Sequence, residues 1–272
     1  MADILLVHGA WHGSWCWDDV AGALRDRGHG VLAIDLPGHD HPGDTRRIWN
    51  RIGQYVAAVG EAAASMDAPV IVGHSMGGYA VQRHLERNTA RRGVLVASVP
   101  ARGALPANLR TLRAHPALTL RAMLTADYHA LVGSPELVRE LFLSPDTPDD
   151  VVDRLAQRLQ NESAVAINTM VLRPPRPQKV TTPVSVIAAE GDTIFTLDEQ
   201  RALAAAYGTE AVVLEGGHDL MVDSSWPSLV DAIDSAIGSE AEPRSARRAR
   251  CQPSAASRPA LTMWSVEMPT MS

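Results

Sequence analysis

Six short apolar, largely β-branched runs punctuate the chain, at residues 4–7, 31–34, 70–72, 94–96, 184–188 and 212–214. Because apolar residues follow one another in these runs instead of alternating with polar ones, each predicts a buried strand covered on both faces, as in a parallel sheet. Between the runs the period lengthens. Ile48, Ile52, Tyr55, Val56 and Val59 recur at helical spacing, as do Leu229, Val230, Ile233 and Ile237 near the C-terminus, so each set forms a stripe that can lie on a sheet face. Strand and helix in alternation predict a doubly wound, mostly parallel α/β sheet.

The alternation stops between about residues 101 and 179. There Ser134-Pro135-Glu136 and Thr147-Pro148-Asp149 each set a capping side chain ahead of a proline suited to the first helical turn. Leu112, Leu118, Leu120, Met123, Leu124, Leu141 and Leu143 make the stretch too apolar for a free loop of that length. Residues 101–179 are therefore expected to form a helical lid inserted into a core of residues 1–100 and 180–238. Arg173-Pro174-Pro175-Arg176-Pro177 closes the insert as a stiff return segment, and Thr196-Leu197-Asp198-Glu199 has the capping-box spacing that starts a helix. From 239 to 272 the chain turns to Ser, Ala, Pro and Arg, which predicts a disordered tail. Its Arg244, Arg247, Arg248 and Arg250 are read as a solvated charge run.

With 272 residues, 46 % apolar and 21 % charged side chains and a net charge of −6, the chain can bury a full core and offers no basic surface for nucleic acid. No apolar run approaches membrane-spanning length, and Met1-Ala2-Asp3 enters the first strand without a basic leader, so neither export signal nor anchor is expected. Two distant cysteines, Cys16 and Cys251, predict no structural disulfide and fit a reduced, cytoplasmic setting, with Cys16 as a buried filler.

The chemistry concentrates at Gly73-His74-Ser75-Met76-Gly77, which follows an apolar strand and precedes a helix-compatible stretch. A turn that tight demands small residues around the serine and thrusts its hydroxyl out at the helix N-terminus, the geometry of a nucleophile elbow. A serine hydroxyl is a poor nucleophile near neutral pH, so a histidine must take its proton and a carboxylate must hold that histidine in one tautomer. With such an elbow the acid follows a late strand and the histidine the last one. Asp192 follows the fifth run and His218 the sixth, with Glu190 as the nearest rival to Asp192. The oxyanion needs preorganised N–H donors, and the backbone amides of Ala10, in the loop after the first strand, and of Met76 are the candidates.

The opening Leu5-Leu6-Val7-His8-Gly9-Ala10-Trp11-His12-Gly13-Ser14-Trp15-Cys16-Trp17, with Gly28-His29 and Ala33-Ile34-Asp35-Leu36-Pro37-Gly38-His39, resembles the start of the α/β-hydrolases. More narrowly it is similar to the branch holding plant methylesterases and hydroxynitrile lyases, and the likeness extends from about residue 4 to 237, weakest through the lid. It implies an α/β-hydrolase fold with a sheet of about six strands. Lyases of that branch carry a lysine after the catalytic histidine; Asp219 stands there instead, which favours ester hydrolysis. The resemblance also makes Asp35 structural, not catalytic. Trp11 and Tyr128 are candidate pocket residues, with packing as the alternative. His39-Asp40-His41 supplies too few ligands for a metal site, and no cofactor is expected. Together these features predict a serine hydrolase acting on a carboxylic ester of a small, neutral or hydrophobic molecule. The alternatives are a lyase or cyclisation enzyme using the same triad for proton transfer, and a hydrolase-fold ligand-binding protein without turnover.

Overall fold

The computed structural model describes residues 1–39 and 49–238. The expectations for Ile48, Asp40, His41, Cys251 and the 239–272 tail with its arginines lie outside them.

All six apolar runs form strands: β1 (Asp3–Val7), β2 (Gly30–Ile34), β3 (Val70–His74), β4 (Arg92–Val96), β5 (Val184–Ala189) and β6 (Ala211–Leu214). They make one sheet in the order β2-β1-β3-β4-β5-β6, every neighbouring pair parallel. Because the chain leaves β1 toward β2 and then returns to the other side as β3, the crevice between the C-terminal ends of β1 and β3 is the switch point where such sheets receive ligands.

Pleating sends alternate side chains to opposite faces. Ile4, Leu6, Val70, Val72, Val94 and Val96 pack with Val20 and Leu24 of α1 (Asp18–Asp26) and with Leu229 and Ile233 of α10 (Trp226–Gly238). Leu5, Val7, Ile71, Leu95 and Val186 pack on the other face with α2 (Ile52–Ala64), α3 (Ser75–Leu85) and α9 (Leu197–Tyr207). The central strands β3 and β4 are wholly buried, as their composition predicts. The outer pair is not: Leu32, Val212 and Val213 are exposed, because β2 and β6 are the sheet's edges and lack a neighbour on one side.

Five helices lie between β4 and β5: α4 (Leu105–Ala114), α5 (Pro116–Thr125), α6 (Pro135–Phe142), α7 (Asp149–Arg158) and α8 (Ala164–Leu172). Ser134 caps α6 as its position predicts, and the Thr196–Glu199 capping box starts α9. At α7 the expectation shifts by one residue. Pro148 is the N-cap, and the Thr147 hydroxyl donates to Asp223 Oδ1 at 3.2 Å instead of accepting an amide of the helix. Leu120, Met123 and Leu124 stay exposed, so the apolar character of this region is only partly spent on burial. Among the described residues no helix is long and apolar enough to cross a membrane.

Candidate active site

Ser75 sits where β3 becomes α3 with a φ of 50°, a left-handed conformation that a side-chain-bearing residue adopts only under constraint. The constraint is close packing of backbone on backbone. A Cβ on Gly77 would lie 2.3 Å from the His8 carbonyl oxygen, and one on Gly73 2.7 Å from Gly78 Cα, so neither position admits a larger residue without moving main chain. The serine is thereby held at the N-terminus of α3, where unpaired amides gather.

His218 follows β6, its ring buried against His74, Phe195 and Phe142 at centroid distances of 4.8, 5.6 and 6.1 Å. Its Nδ1 donates to Asp192 Oδ2 at 2.9 Å, which leaves Nε2 as the ring's basic nitrogen. Asp192 is fixed in turn, its Oδ1 accepting from the amides of Ile194 at 2.8 Å and Phe195 at 2.9 Å. Glu190, its rival in sequence, points to solvent. Burial, the largest single influence on His218, favours the neutral ring, but the charge and hydrogen bond of Asp192, reinforced by Asp219, outweigh it and hold the imidazole above its ordinary pKa. His74 is pushed the other way, to about 3, by burial first and by His218 next, so it stays neutral beside its neighbour.

A cavity of about 250 Å³ is lined by Ser75, Met76, Ala10, Trp11, Tyr128 and Phe195 together with residues of α4, α5 and α8. None of the described residues that line it is charged. A larger cleft of about 580 Å³ between Trp15, Arg158 and Trp226 contains none of Ser75, Asp192 and His218, so size does not mark the chemistry here.

Several residues that sequence reasoning passed over hold this arrangement. Trp11 also has a left-handed backbone, φ 65°, and is pinned there. Its amide donates to Glu162 Oε2 at 3.3 Å, its carbonyl accepts from the Gln160 amide at 3.0 Å, and its indole donates to the Tyr128 carbonyl at 3.1 Å. Glu162 is fully buried and also receives His39 Nε2 at 3.0 Å, the Tyr55 hydroxyl at 2.9 Å and the Ser163 amide at 2.6 Å. Burial works against its charge, yet His39 and these donors hold its carboxyl below the usual range. Asp223 plays a similar part across the site. It accepts from the Ser144 hydroxyl at 2.6 Å and the Gly217 amide at 2.8 Å, tying the segment after α6 to the loop that carries His218. Nothing local in sequence marks Glu162; Asp223 carries only the faint signal of lying five residues after His218.

Other expectations can now be placed. Asp35 accepts from the Ser14 amide at 2.6 Å and the Ser14 hydroxyl at 3.0 Å and does not line the cavity. Burial and then Asp219 raise the Cys16 thiol well above its usual pKa, which keeps it unreactive. Asp219 does not face the cavity: its Oδ2 meets His12 Nε2 at 2.8 Å inside the protein. Among the described residues, His74, His218 and Asp219 bring potential metal-ligand atoms within 4.8 Å of one another. Each already serves a protein hydrogen bond, to the His218 carbonyl, Asp192 and His12 respectively, so the donor set is that of a hydrogen-bond network and not of a converging coordination shell.

A family model described as the alpha/beta hydrolase family matches residues 4–232. The chain is 36 % identical over 110 residues to a carbendazim hydrolyzing esterase of Nocardioides sp. (strain SG-4G), covering 38 % of this chain and 45 % of that one. It is 37 % identical over 95 residues to methyl jasmonate esterase 1 of Vitis vinifera, covering 34 % and 36 %. The matched stretches thus span less than half the length of these relatives. Among solved structures, a methylesterase from Arabidopsis superposes with a TM-score of 0.66 at 19 % identity, over 87 % of this chain and 99 % of that one.

Proposed function

The chain belongs to the alpha/beta hydrolase family, and from that premise we propose that it is a serine hydrolase cleaving a carboxylic ester of a small, neutral or apolar molecule through Ser75, His218 and Asp192. The observation that carries this is Ser75 in its left-handed elbow, lining an uncharged cavity, with a buried His218–Asp192 pair of 2.9 Å across the sheet edge. His218 Nε2 takes the Ser75 proton as the hydroxyl attacks the ester carbonyl, while Asp192 keeps the ring in the required tautomer. The amides of Ala10 and Met76 receive the oxyanion. The alcohol leaves with the proton from His218, and water cleaves the acyl-enzyme by the same route.

Substrate size and polarity follow from the cavity. About 250 Å³ lies below the range that suits drug-sized ligands, and a lining free of charge disfavours an ionic substrate, which would lose its hydration without a partner. Trp11 and Tyr128 shape this pocket, and helices α4 to α8 form its lid. The names of relatives that hydrolyse carbendazim or methyl jasmonate esters support ester chemistry. Lyase chemistry of the kind that relies on a cation beside the histidine finds no support, since Asp219 occupies that position and engages His12. A cytoplasmic setting belongs to the same proposal, supported by the free thiol of Cys16.

Release of p-nitrophenol from acetate and butyrate esters tests the proposal. Ser75→Ala is expected to lower turnover by at least about 10⁴-fold with the fold intact, and a fluorophosphonate to modify Ser75 in the wild type. Equal turnover by both proteins, or no adduct on Ser75, would sink it.

A further inference from the structure

Three segments meet beneath the site: the loop after β1 that carries Ala10, the end of β3 just before Ser75, and the loop after β6 that carries His218. One side chain touches all three. Asp219 Oδ2 lies 2.8 Å from His12 Nε2, and Oδ1 lies 3.5 Å from His74 Nε2. His74 Nε2 itself donates to the His218 carbonyl at 3.1 Å. His12 is two residues past Ala10, and its Nδ1 is 2.6 Å from the Ala10 carbonyl.

His12 lies between two acceptors. A carbonyl oxygen can only accept, and an ionised carboxylate can only accept, so a ring wedged between them carries hydrogen on both nitrogens. Burial works against the charge of Asp219, but His12, by its charge and its hydrogen bond, holds the carboxyl below its usual range. Both side chains are buried, 1 % and 0 % exposed, so the His12–Asp219 contact lies out of water and is costly to break from one side. Among the described residues Asp219 Oδ1 finds no hydrogen-bond partner, an uncommon state for a buried carboxylate oxygen. Its charge is thus free to act on the adjacent ring of His218.

We propose that Asp219 is a positioning residue, which through His12 fixes the Ala10 oxyanion loop against the loop of His218 and favours the protonated His218 that forms as Ser75 attacks. The proposal rests on the serine hydrolase reading of the same site. It gives Asp219 a role distinct from that of Asp192: Asp192 orients His218 through a direct hydrogen bond, whereas Asp219 sets the distance between base and oxyanion donors. The charged and titratable groups facing His218 are Asp192, Asp219 and His74, with the rings of Phe142 and Phe195 completing its surroundings.

Two measurements test it. Nitrogen-15 NMR of the wild-type imidazoles is expected to show both nitrogens of His12 protonated at pH 7, and one of them to lose its proton in Asp219→Asn. With p-nitrophenyl acetate, Asp219→Asn is expected to lower kcat about 10- to 100-fold with KM nearly unchanged, and to move the acid limb of kcat/KM to lower pH. A purely structural aspartate would shift neither the limb nor the balance of kcat and KM. His12→Gln, which breaks the bridge from the other side, is expected to lower kcat likewise and serves if Asp219→Asn does not fold by circular dichroism. The proposal is overturned by a His12 ring protonated on one nitrogen only in the wild type, or by a folded variant whose kcat and acid limb stay within twofold of wild type. Absence of Ser75-dependent turnover in the wild type would instead bring down the hydrolase reading beneath it.

Discussion

The elbow and the inserted helices reach the same cavity by different means. Between β3 and α3 the chain builds its share of the site from neighbours in sequence, with Gly73, Ser75 and Gly77 packed backbone against backbone at contacts no larger residue could occupy. The inserted helices instead depend on buried polar groups whose partners lie far along the chain. Glu162 reaches across 107 residues to Tyr55, 123 to His39 and 151 to Trp11, and Asp223 across 79 to Ser144. A contact made by close-packed backbone is stiff and insensitive to pH. One made by a buried carboxylate depends on charge and on every donor around it. The rigid part holds Ser75, the proposed nucleophile, and the charge-held part forms walls of the cavity that Ser75 lines.

Removing the carboxylate that anchors the insert should have the largest effect on stability. Glu162→Ala removes the carboxylate that His39, the Tyr55 hydroxyl and the Trp11 amide share, and a loss of about 3–5 kcal/mol is expected in urea unfolding. A change under 1 kcal/mol would mean that the insert is held by apolar packing instead. Gly77→Ala attacks the other region. Its Cβ would meet the His8 carbonyl, and a cost of about 2–3 kcal/mol is expected together with a fall in ester turnover, since Ser75 moves with the strand end. Retained turnover alongside retained stability would show that the elbow is softer than its contacts imply.

Acid should separate the two regions. In the proposed mechanism His218 acts as the neutral base, and it titrates above its ordinary value, so kcat/KM is expected to fall tenfold per pH unit, about 1.4 kcal/mol, from a point above about pH 6.5. Because its folded pKa is raised, the stability that His218 contributes is present at acid pH and lost as pH rises through the folded value. Glu162 and Asp223 have depressed pKa values, so theirs is present above about pH 4 and lost as pH falls through the folded values. Between about pH 6.5 and 4 the protein should therefore remain folded while its activity falls away, which paired activity and circular dichroism profiles would reveal. Coincident loss of both signals would refute the separation. The smallest effect belongs to Leu124→Ser on α5. That side chain is 78 % exposed, and its replacement should change stability by less than about 0.5 kcal/mol. A larger loss would show that something covers this helix in solution.

Much of the architecture was legible in sequence because it rests on local signals. Apolar runs marked all six strands, and the caps at Ser134 and Thr196 marked helix starts, since strand burial and turn chemistry are written within a few residues. The same local signals placed Ser75 with its flanking glycines at the turn from β3 to α3, and Asp192 and His218 after β5 and β6. Where the reading failed, a competing partner from elsewhere had won: Thr147 left its helix for Asp223, and the edge strands β2 and β6 lost the cover that their composition suggested.

By itself, then, the order of residues determined the strands, the elbow and the chain order of the three groups around it. Tertiary structure decided which of the other buried histidines meets which carboxylate: His12 with Asp219 and His39 with Glu162. The physical reason is one of range. Periodicity and steric limits act between neighbours, whereas a buried charge takes whatever partner the folded loops bring within 3 Å, and those loops meet only once the sheet has closed its crevice.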